Sequence, residues 1–302
     1  MTNILITGGT CQVGTYLRQF PWPAGIDLFA PTRAELNLSD VSSIEDMVDS
    51  RPWAAVINCG ASTAVDLCEN EIVAAWQTNA LAPAALAQAT ARAKVPLIHV
   101  STDYVFGGDK VGAYVETDAV APLGVYGASK EGGEQAVRTA NPRHVIVRTA
   151  WVVSPFGNNF IKTMLRVGAE RPLLRVVNDQ HGCPTHAGNL AAALAKITLQ
   201  HLHDANSPTG TYHFTNAGQA SWFGLAQEIF RITAALGHKV PQLEAITSDQ
   251  YPLSAKRPAN SLLSTDKITR DFGIMPRPWQ DAVQEIVHIL ANKNSTTTGA
   301  TR

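Results

Sequence analysis

The chain has 302 residues, of which 45% are hydrophobic and 16% are charged, and its formal net charge is −1. This length is ample for a full globular core. The near-neutral charge gives no reason to expect nucleic acid or an anionic membrane as a partner. No stretch resembles a signal peptide or a membrane span, so we expect a cytoplasmic protein.

The four cysteines, Cys11, Cys59, Cys68 and Cys183, are scattered along the sequence. They are too few for a disulfide framework in a chain of this size, and no pair has the spacing of metal ligands. The nine histidines form no metal-binding motif. The sequence therefore predicts reduced thiols and no structural zinc.

A glycine-rich loop follows the first apolar segment. Residues 3–7 read as a strand, Thr7-Gly-Gly-Thr-Cys-Gln-Val-Gly14 follows, and residues 15–20 are helical in pattern. This order is typical of a loop that binds a pyrophosphate through backbone N–H groups at a helix start. Cys11 stands where a T-G-x-x-G-x-x-G pattern has its middle glycine, and its Cβ crowds the closest approach to a phosphate. An ordinary βα turn is the alternative interpretation.

The end of the second predicted strand, 26–30, bears on the choice of cofactor. A carboxylate directly after this strand would bind the ribose 2′-hydroxyl of NAD, but Thr32 and Arg33 follow it. These two residues suit a 2′-phosphate better, which favours NADPH, with NADH possible. A solvated surface charge is the alternative interpretation of Arg33.

Predicted strands and helices alternate through the first half of the chain. A helix at 42–50 precedes a strand at 55–58, and small residues, 59–63, follow that strand. A long alanine-rich helix, 73–94, a strand at 96–100 and a strand at 143–148 continue the alternation. This rhythm predicts an α/β Rossmann-type domain with a doubly wound parallel sheet over residues 1–150.

The second half is less regular. It reads as helices at 158–170, 187–200, 221–236 and 278–293, with strands at 174–177 and 211–214. We expect residues 151–293 to form a smaller C-terminal substrate-binding lobe, with some segments returning to the main domain. Residues 294–302 are polar and are predicted to be a disordered tail.

Polar residues with catalytic potential follow the strand at 96–100. Ser101 to Tyr104 come directly after it, where open α/β sheets place ligand chemistry. Tyr126 and Lys130, four apart on a helical segment, lie on one helix face. An ammonium beside a phenol lowers the pKa of the phenol, which makes the tyrosine a usable proton donor. The spacing also fits a solvated helix face, but the hydroxyl of Thr102 and the glycine loop favour catalysis.

Seven motifs in order span nearly the full chain: TGGTCQVG, TAVDLCE, STDYVF, YGASK, RTAWVVSPFGNNF, DQHGCPT and RPANSLL. This set resembles the dTDP-4-dehydrorhamnose reductase (RmlD-like) family of the extended short-chain dehydrogenase/reductases. The resemblance implies reduction of the C4 ketone of dTDP-4-dehydro-L-rhamnose to dTDP-L-rhamnose by NAD(P)H, a step of nucleotide-sugar and polysaccharide biosynthesis.

The resemblance also implies roles for matched residues. Tyr126 would protonate the developing alkoxide, Lys130 would lower the pKa of Tyr126 and hold the nicotinamide ribose, and Thr102 would hydrogen-bond the same oxygen. Asp103 would lie at the substrate and Trp151 would form an apolar wall for the sugar, with a structural carboxylate and core packing as the alternatives. The expected cofactor-binding residues are Gly8, Cys11, Gln12, Val13, Gly14, Arg33, Asn37, Leu38, Ala61, Ser62, Thr63, Tyr126 and Lys130.

The chain departs from the family in places. The family commonly has Asp where this chain has Asn37. Some members bind Mg²⁺ at a dimer interface through two glutamates, and those positions read Tyr16 and Gly188 here. Without carboxylates a hard cation has little to hold it, so we expect no metal and either a monomer or a metal-free homodimer.

Two other functions remain open. The sugar pocket is not fixed by the catalytic residues, so the substrate could be another nucleotide-linked 4-keto sugar. The other function is of a different class, a non-catalytic regulatory or binding subunit on the same fold, since the regulatory subunit of methionine adenosyltransferase resembles this fold. Cys11 is the residue that favours this class.

Overall fold

The computed structural model describes residues 2–298, which form twelve strands and eleven α-helices within that range. The strands are β1 (Thr2–Thr7), β2 (Ile26–Phe29), β3 (Ala55–Asn58), β4 (Leu97–Thr102), β5 (His144–Thr149), β6 (Val152–Val153), β7 (Leu173–Val177), β8 (His181–Gly182), β9 (Thr185–His186), β10 (Gly210–His213), β11 (Ala220–Ser221) and β12 (Gln242–Ile246). The helices are α1 (Gln12–Gln19), α2 (Val41–Asp49), α3 (Val65–Asn70), α4 (Ile72–Trp76), α5 (Ala82–Arg92), α6 (Val125–Ala140), α7 (Phe160–Glu170), α8 (Ala187–His203), α9 (Trp222–Ala235), α10 (Asp266–Phe272) and α11 (Trp279–Thr298).

A six-stranded sheet in the order β10-β5-β4-β3-β1-β2 forms the centre of the fold. Its strand pairs are all parallel. The chain proceeds from β1 to β2 on one side and then returns to β3 on the other, so the strand order reverses between β1 and β3. In doubly wound sheets the ligand crevice lies outside the carboxyl ends of the strands at this reversal. The predicted Rossmann-type architecture is confirmed.

Helices cover both faces of the sheet because side chains alternate along each strand. Ile4 and Ile6 of β1 pack with α1 and α8 in one core, and Leu5 packs with α2, α5 and α6 in the other. Every residue of β3 and of β5 is buried, as expected for central strands of a parallel sheet covered on both sides. This packing fixes the carboxyl ends of β1, β3, β4 and β5 along one edge.

The predicted helix at 73–94 is interrupted. A π-helical turn, Gln77–Leu81, joins α4 to α5. Asn79 in this turn is fully buried, and its side-chain amide exchanges two hydrogen bonds with the backbone of Ser62 after β3. π-turns occur mostly as single turns within α-helices, often at functional sites. Here the turn directs Asn79 toward the loop that follows β3.

The C-terminal half supplies a lobe and also returns to the main domain. Three two-stranded sheets, β6-β9, β7-β12 and β8-β11, and helices α7, α9 and α11 form the lobe around its own apolar core. In contrast, β10 pairs with β5 and α8 packs against α1 in the main domain. Helix α11 extends to Thr298 and so includes 294–298 of the predicted tail, whereas 299–302 lie outside the described residues.

Candidate active site

The carboxyl end of β4 brings together Thr102, Asp103 and Tyr126. The Thr102 hydroxyl donates to Asp103 Oδ1 at 2.9 Å and accepts the Tyr104 N–H at 3.2 Å. Tyr126 lies beside this hydroxyl, which lowers the pKa of the phenol as a hydrogen-bond donor to the phenol oxygen would. The structure therefore brings these three predicted residues together.

The ionisation of Tyr126 differs from the expectation. Burial raises the pKa of Tyr126, against the opposing effect of the Thr102 hydrogen bond, and the charge of Asp103 raises it further. The predicted lowering of this pKa by Lys130 is wrong for this structure. The reason is geometric, since Lys130 Nζ donates to the Val100 carbonyl at 2.8 Å and lies 3.5 Å from His99 Nε2.

Two buried ionisable groups at this site have shifted pKa values. Desolvation lowers the pKa of Lys130 to about 8, although the charge of Glu134 opposes the shift. Desolvation likewise raises the pKa of Asp103 to about 6, against hydrogen bonds from Ser261 and Thr102. The second oxygen of Asp103, Oδ2, is buried without a hydrogen-bond partner among the described residues. Shifts of this kind at a cleft are typical of functional sites.

The glycine loop lies against the loop after β3. Gly8 has a φ of +68°, and a Cβ there would come within 2.7 Å of the Gly60 nitrogen, so both the conformation and the close approach require glycine. A Cβ at Gly14 would collide with the Gly8 carbonyl. Cys11 is the N-cap of α1, and its Sγ accepts the Gly14 N–H at 3.3 Å. These features form a backbone cradle of the kind that fits a dinucleotide pyrophosphate.

Gln12 connects this cradle to the chain after β6. Its Oε1 accepts from Ser154 Oγ at 2.7 Å and from Asn159 Nδ2 at 3.0 Å. Ser154 and Asn159 were missed by sequence reasoning, although both fall in the RTAWVVSPFGNNF motif. Val13, in contrast, is buried in the core, so its side chain has a packing role.

The loop after β2 carries Arg33 on the surface, and it also carries a carboxylate that the sequence analysis overlooked. Glu35 folds back so that its Oε2 accepts the Thr32 N–H at 2.7 Å. Asn37 caps its own turn by accepting the Ser39 N–H at 3.0 Å, and Leu38 packs against Gly60. The strand end therefore presents both a guanidinium and a carboxylate.

Hydrogen bonds from the side chain of Asn79 hold the segment 61–63 that follows β3. Ala61 and Ser62 are half-buried and Thr63 is exposed. The Asn79 amide bonds the Ser62 backbone and also donates to Ser129 Oγ on α6 at 3.1 Å. Asn79 thus couples the predicted cofactor-lining turn to the helix that carries Tyr126.

Trp151 follows β5 and is half-buried. Its ring stacks on Trp222 of α9, a residue that sequence reasoning did not single out. Because Thr149 of β5 is in register with Thr102 of β4, Trp151 emerges on the same edge of the sheet as the catalytic candidates.

The two positions compared with metal-binding glutamates lie beside His186. Tyr16 Oη is 3.3 Å from His186 Nε2, and the Gly188 N–H donates to His186 Nδ1 at 3.0 Å. Across the described part of the chain, no group of three or more His, Cys, Asp or Glu residues could hold a metal ion. Within 2–298, no helix is both long and apolar enough to cross a membrane.

The sheet topology and the relatives of this chain define a Rossmann-type oxidoreductase. Within that class, the chain belongs to the dTDP-4-dehydrorhamnose reductase family: the family profile described as RmlD substrate binding domain matches residues 1–292. The dTDP-4-dehydrorhamnose reductase of Aggregatibacter actinomycetemcomitans is 40% identical over 289 residues, covering 95% of this chain and 98% of that protein.

Two solved structures are similar over the whole chain. A dTDP-4-dehydrorhamnose reductase from Clostridium acetobutylicum has a TM-score of 0.89 and 33% identity, covering 96% of this chain and all of that one. A dTDP-4-dehydrorhamnose reductase from Bacillus anthracis in complex with NADP has a TM-score of 0.87 and 32% identity, with the same coverage. The predicted family, fold class and enzyme class are confirmed.

Proposed function

We propose that this chain reduces the C4 ketone of dTDP-4-dehydro-L-rhamnose to dTDP-L-rhamnose with NADPH, and that Tyr126 is the proton donor. The observation that carries the proposal is that Tyr126 lies beside the hydrogen-bonded pair of Thr102 and Asp103 at the carboxyl end of β4. Membership of the reductase family supports the substrate, and the NADP bound to the Bacillus anthracis relative supports the cofactor.

The ionisation of Tyr126 suits an acid. Its raised pKa keeps the phenol protonated at neutral pH, which is the state that a proton donor must have before the reaction. The Thr102 hydroxyl donates to Asp103 in this structure, and its effect on Tyr126 is to favour the ionised phenol that remains after proton transfer. When the ketone gains negative charge, Tyr126 gives its proton to the developing alkoxide, and the Thr102 hydroxyl would turn from Asp103 to donate to the same oxygen.

The chain offers residues for each part of the cofactor, which supplies the hydride when bound. The cradle at Gly8, the start of α1 and the turn at 61–63 would hold the pyrophosphate, and Arg33 would face the 2′-phosphate. Lys130 would hold the nicotinamide ribose. Trp151 and Asp103 would bind the sugar of the nucleotide-sugar substrate. The proposed reaction uses no metal ion.

The test is oxidation of NADPH and NADH, followed by absorbance, with dTDP-4-dehydro-L-rhamnose as substrate. Wild type should turn over, and Tyr126→Phe should lose activity by about 10²-fold or more because a general acid contributes that much. Tyr126→Phe should still bind NADPH, weakened at most by the one hydrogen bond that the missing hydroxyl would give the cofactor. Turnover undiminished in Tyr126→Phe would refute the assigned acid.

The assay also separates the other functions. Cofactor binding without turnover would indicate a different nucleotide-linked 4-keto sugar. Failure to bind either cofactor would favour a regulatory subunit, the function that Cys11 first suggested.

A further inference from the structure

A row of buried polar side chains crosses three neighbouring strands below Lys130. Thr7 of β1 is in register with Asn58 of β3, and Asn58 is in register with His99 of β4. Residues in register on adjacent strands share a face, and this row lies on the face that α6 covers. All three side chains are at most 1% exposed, so each of their hydrogen bonds must be satisfied within the protein.

The direction of the hydrogen bonds along this row is fixed by one backbone donor. The Gly60 N–H donates to Asn58 Oδ1 at 3.2 Å, and the Thr7 hydroxyl donates to the same oxygen at 2.5 Å. An amide nitrogen in that place would face the Gly60 N–H donor to donor, so the orientation of the Asn58 amide is determined. Asn58 Nδ2 therefore donates to His99 Nδ1 at 2.9 Å.

The same logic determines the tautomer of His99. A neutral imidazole that accepts at Nδ1 carries its proton on Nε2. Burial keeps the pKa of His99 well below its usual range, and the charge of Lys130 lowers it further, so the ring stays neutral. Its Nε2–H then faces Lys130 Nζ, 3.5 Å away. An N–H group can donate to the lone pair of an amine but is repelled by an ammonium.

We propose that His99 is a positioning residue for Lys130. Thr7 and Asn58 hold His99 in the Nε2-protonated tautomer, and the Nε2–H of His99 favours the neutral amine of Lys130. The Lys130 amine then has one donor, His99, and one acceptor, the Val100 carbonyl at 2.8 Å. The row starts at the residue before the glycine loop and ends at Lys130, so it joins the two halves of the cofactor cleft.

Other charged and titratable groups that face Lys130 act differently. Glu134, one turn along α6, raises the pKa of Lys130, as does Cys59 after β3. Glu134 is itself neutralised, because Arg148 of β5 binds both its oxygens at 2.9 and 2.7 Å and Arg138 binds one at 2.9 Å. Desolvation and His99 therefore favour the neutral amine of Lys130, whereas Glu134 and Cys59 favour its charged form.

The tautomer can be measured on the wild-type protein by ¹⁵N NMR of its histidines. We expect His99 to be protonated on Nε2 and not to titrate between pH 6 and 9. His144 provides an internal reference, since its Nδ1 must donate to the Asn141 carbonyl at 2.6 Å and the opposite tautomer results. A His99 protonated on Nδ1, or on both nitrogens, would overturn the proposal.

Two variants test the effect on Lys130. His99→Asn keeps a partner for Asn58 and removes the group that faces Lys130, so the amine loses its donor. Asn58→Asp forces the His99 proton onto Nδ1, because a carboxylate can only accept there, and its added negative charge also favours the ammonium of Lys130. In His99→Asn the pH at which Lys130 loses its charge should rise by about 0.5–1 unit, the effect of one hydrogen bond, and in Asn58→Asp it should rise further. NMR titration of the lysine amine measures both shifts, and the ¹⁵N shifts of His99 in Asn58→Asp test the tautomer argument if His99→Asn does not fold.

The kinetic arm rests on the proposed role of Lys130 in the reductase reaction. If the ammonium is needed, the alkaline limb of kcat/KM should move to higher pH in His99→Asn and stay in place in the control His144→Asn. An unmoved limb together with an unmoved lysine titration would overturn the inference. Absence of turnover in the wild type would count against the proposed function alone, because both NMR measurements need no substrate.

Discussion

Trp151 lies flat against Trp222, with ring centroids 3.5 Å apart and an angle of 7° between the ring planes. Trp151 also has a φ of +48°, which is unusual for a bulky residue and costs on the order of 1 kcal/mol or more. Such a conformation persists when the surroundings hold it. Trp222 covers one side of the indole, and Gly182 leaves room beside it, where a Cβ would lie 2.5 Å away. The lobe thus sets the orientation of Trp151.

Trp222→Ala should weaken the use of the sugar substrate. Loss of the stacked partner removes about 0.5–1.5 kcal/mol of aromatic contact, so kcat/KM for the nucleotide sugar should fall roughly 2–10-fold, mainly through KM. NADPH binding should be unchanged. Trp222→Phe should lose less. Trp22→Ala, which removes a tryptophan that packs on Phe20 after α1, is the control and should leave KM unaltered. Equal losses in Trp22→Ala and Trp222→Ala would show that the effect is general destabilisation.

The features that could be predicted from the sequence depend on residues close to one another along the chain. The glycine loop and the shared face of Tyr126 and Lys130 follow from short-range spacing, and the alternation of strands and helices gave the sheet. The residues that were missed depend on packing between distant segments. Trp222 starts an amphipathic helix and reads as core, and Asn79 is directed inward by a π-turn that alanine-rich sequence does not reveal. Burial, which the sequence did not quantify, reversed the expected pKa shift of Tyr126.

Replacing Cys11 by the glycine of the usual pattern should change little. Cys11 has a φ of −71° and a ψ of 171°, which any L-residue adopts, and its thiol caps α1 by accepting the Gly14 N–H. Glycine at an N-cap costs only a few tenths of a kcal/mol, so Cys11→Gly should alter the Kd for NADPH by less than about threefold. Fluorescence titration measures this. A change of more than about tenfold would mean that the Cβ does obstruct the phosphate.

Gly14→Ala is the contrasting variant for the same titration. Its Cβ would collide with the Gly8 carbonyl and with Gly9, both backbone neighbours that cannot move aside alone. We therefore expect NADPH binding to fall by at least about tenfold, in contrast to Cys11→Gly.

Arg33 and Glu35 should set the cofactor preference in opposite directions. Arg33→Ala should lower kcat/KM for NADPH roughly 3–10-fold, because a partly solvated charge-assisted contact is worth about 1 kcal/mol, and should spare NADH. Glu35→Gln removes a carboxylate beside Thr32 and should improve NADPH relative to NADH. Arg92→Ala, which breaks an exposed ion pair with Glu45, is the control. An unchanged NADPH/NADH ratio in Arg33→Ala would exclude a 2′-phosphate contact.

Asp103 should make stability depend on pH. Its pKa is about 6 in the folded protein against 3.8 for the unperturbed group, mainly because it is buried. A folded-state pKa above the unfolded value gives stability that is fully present below pH 3.8 and is lost as pH rises through 6. The loss between these values is about 2–3 kcal/mol in the free energy of unfolding.

Asp103→Asn cannot ionise, so it should lack this component of the pH dependence. Denaturant unfolding of wild type and variant at pH 4 and pH 8 measures this component. The quantity to compare is the change in the free energy of unfolding between the two pH values, which does not depend on the absolute stability of either protein. Asp27→Asn, at an exposed position on β2, is the control and should follow the wild type. Parallel pH dependence in wild type and Asp103→Asn would show that Asp103 keeps an ordinary pKa. Asp103, which accepts the hydrogen bond of the Thr102 hydroxyl, would then be ionised throughout the pH range of catalysis.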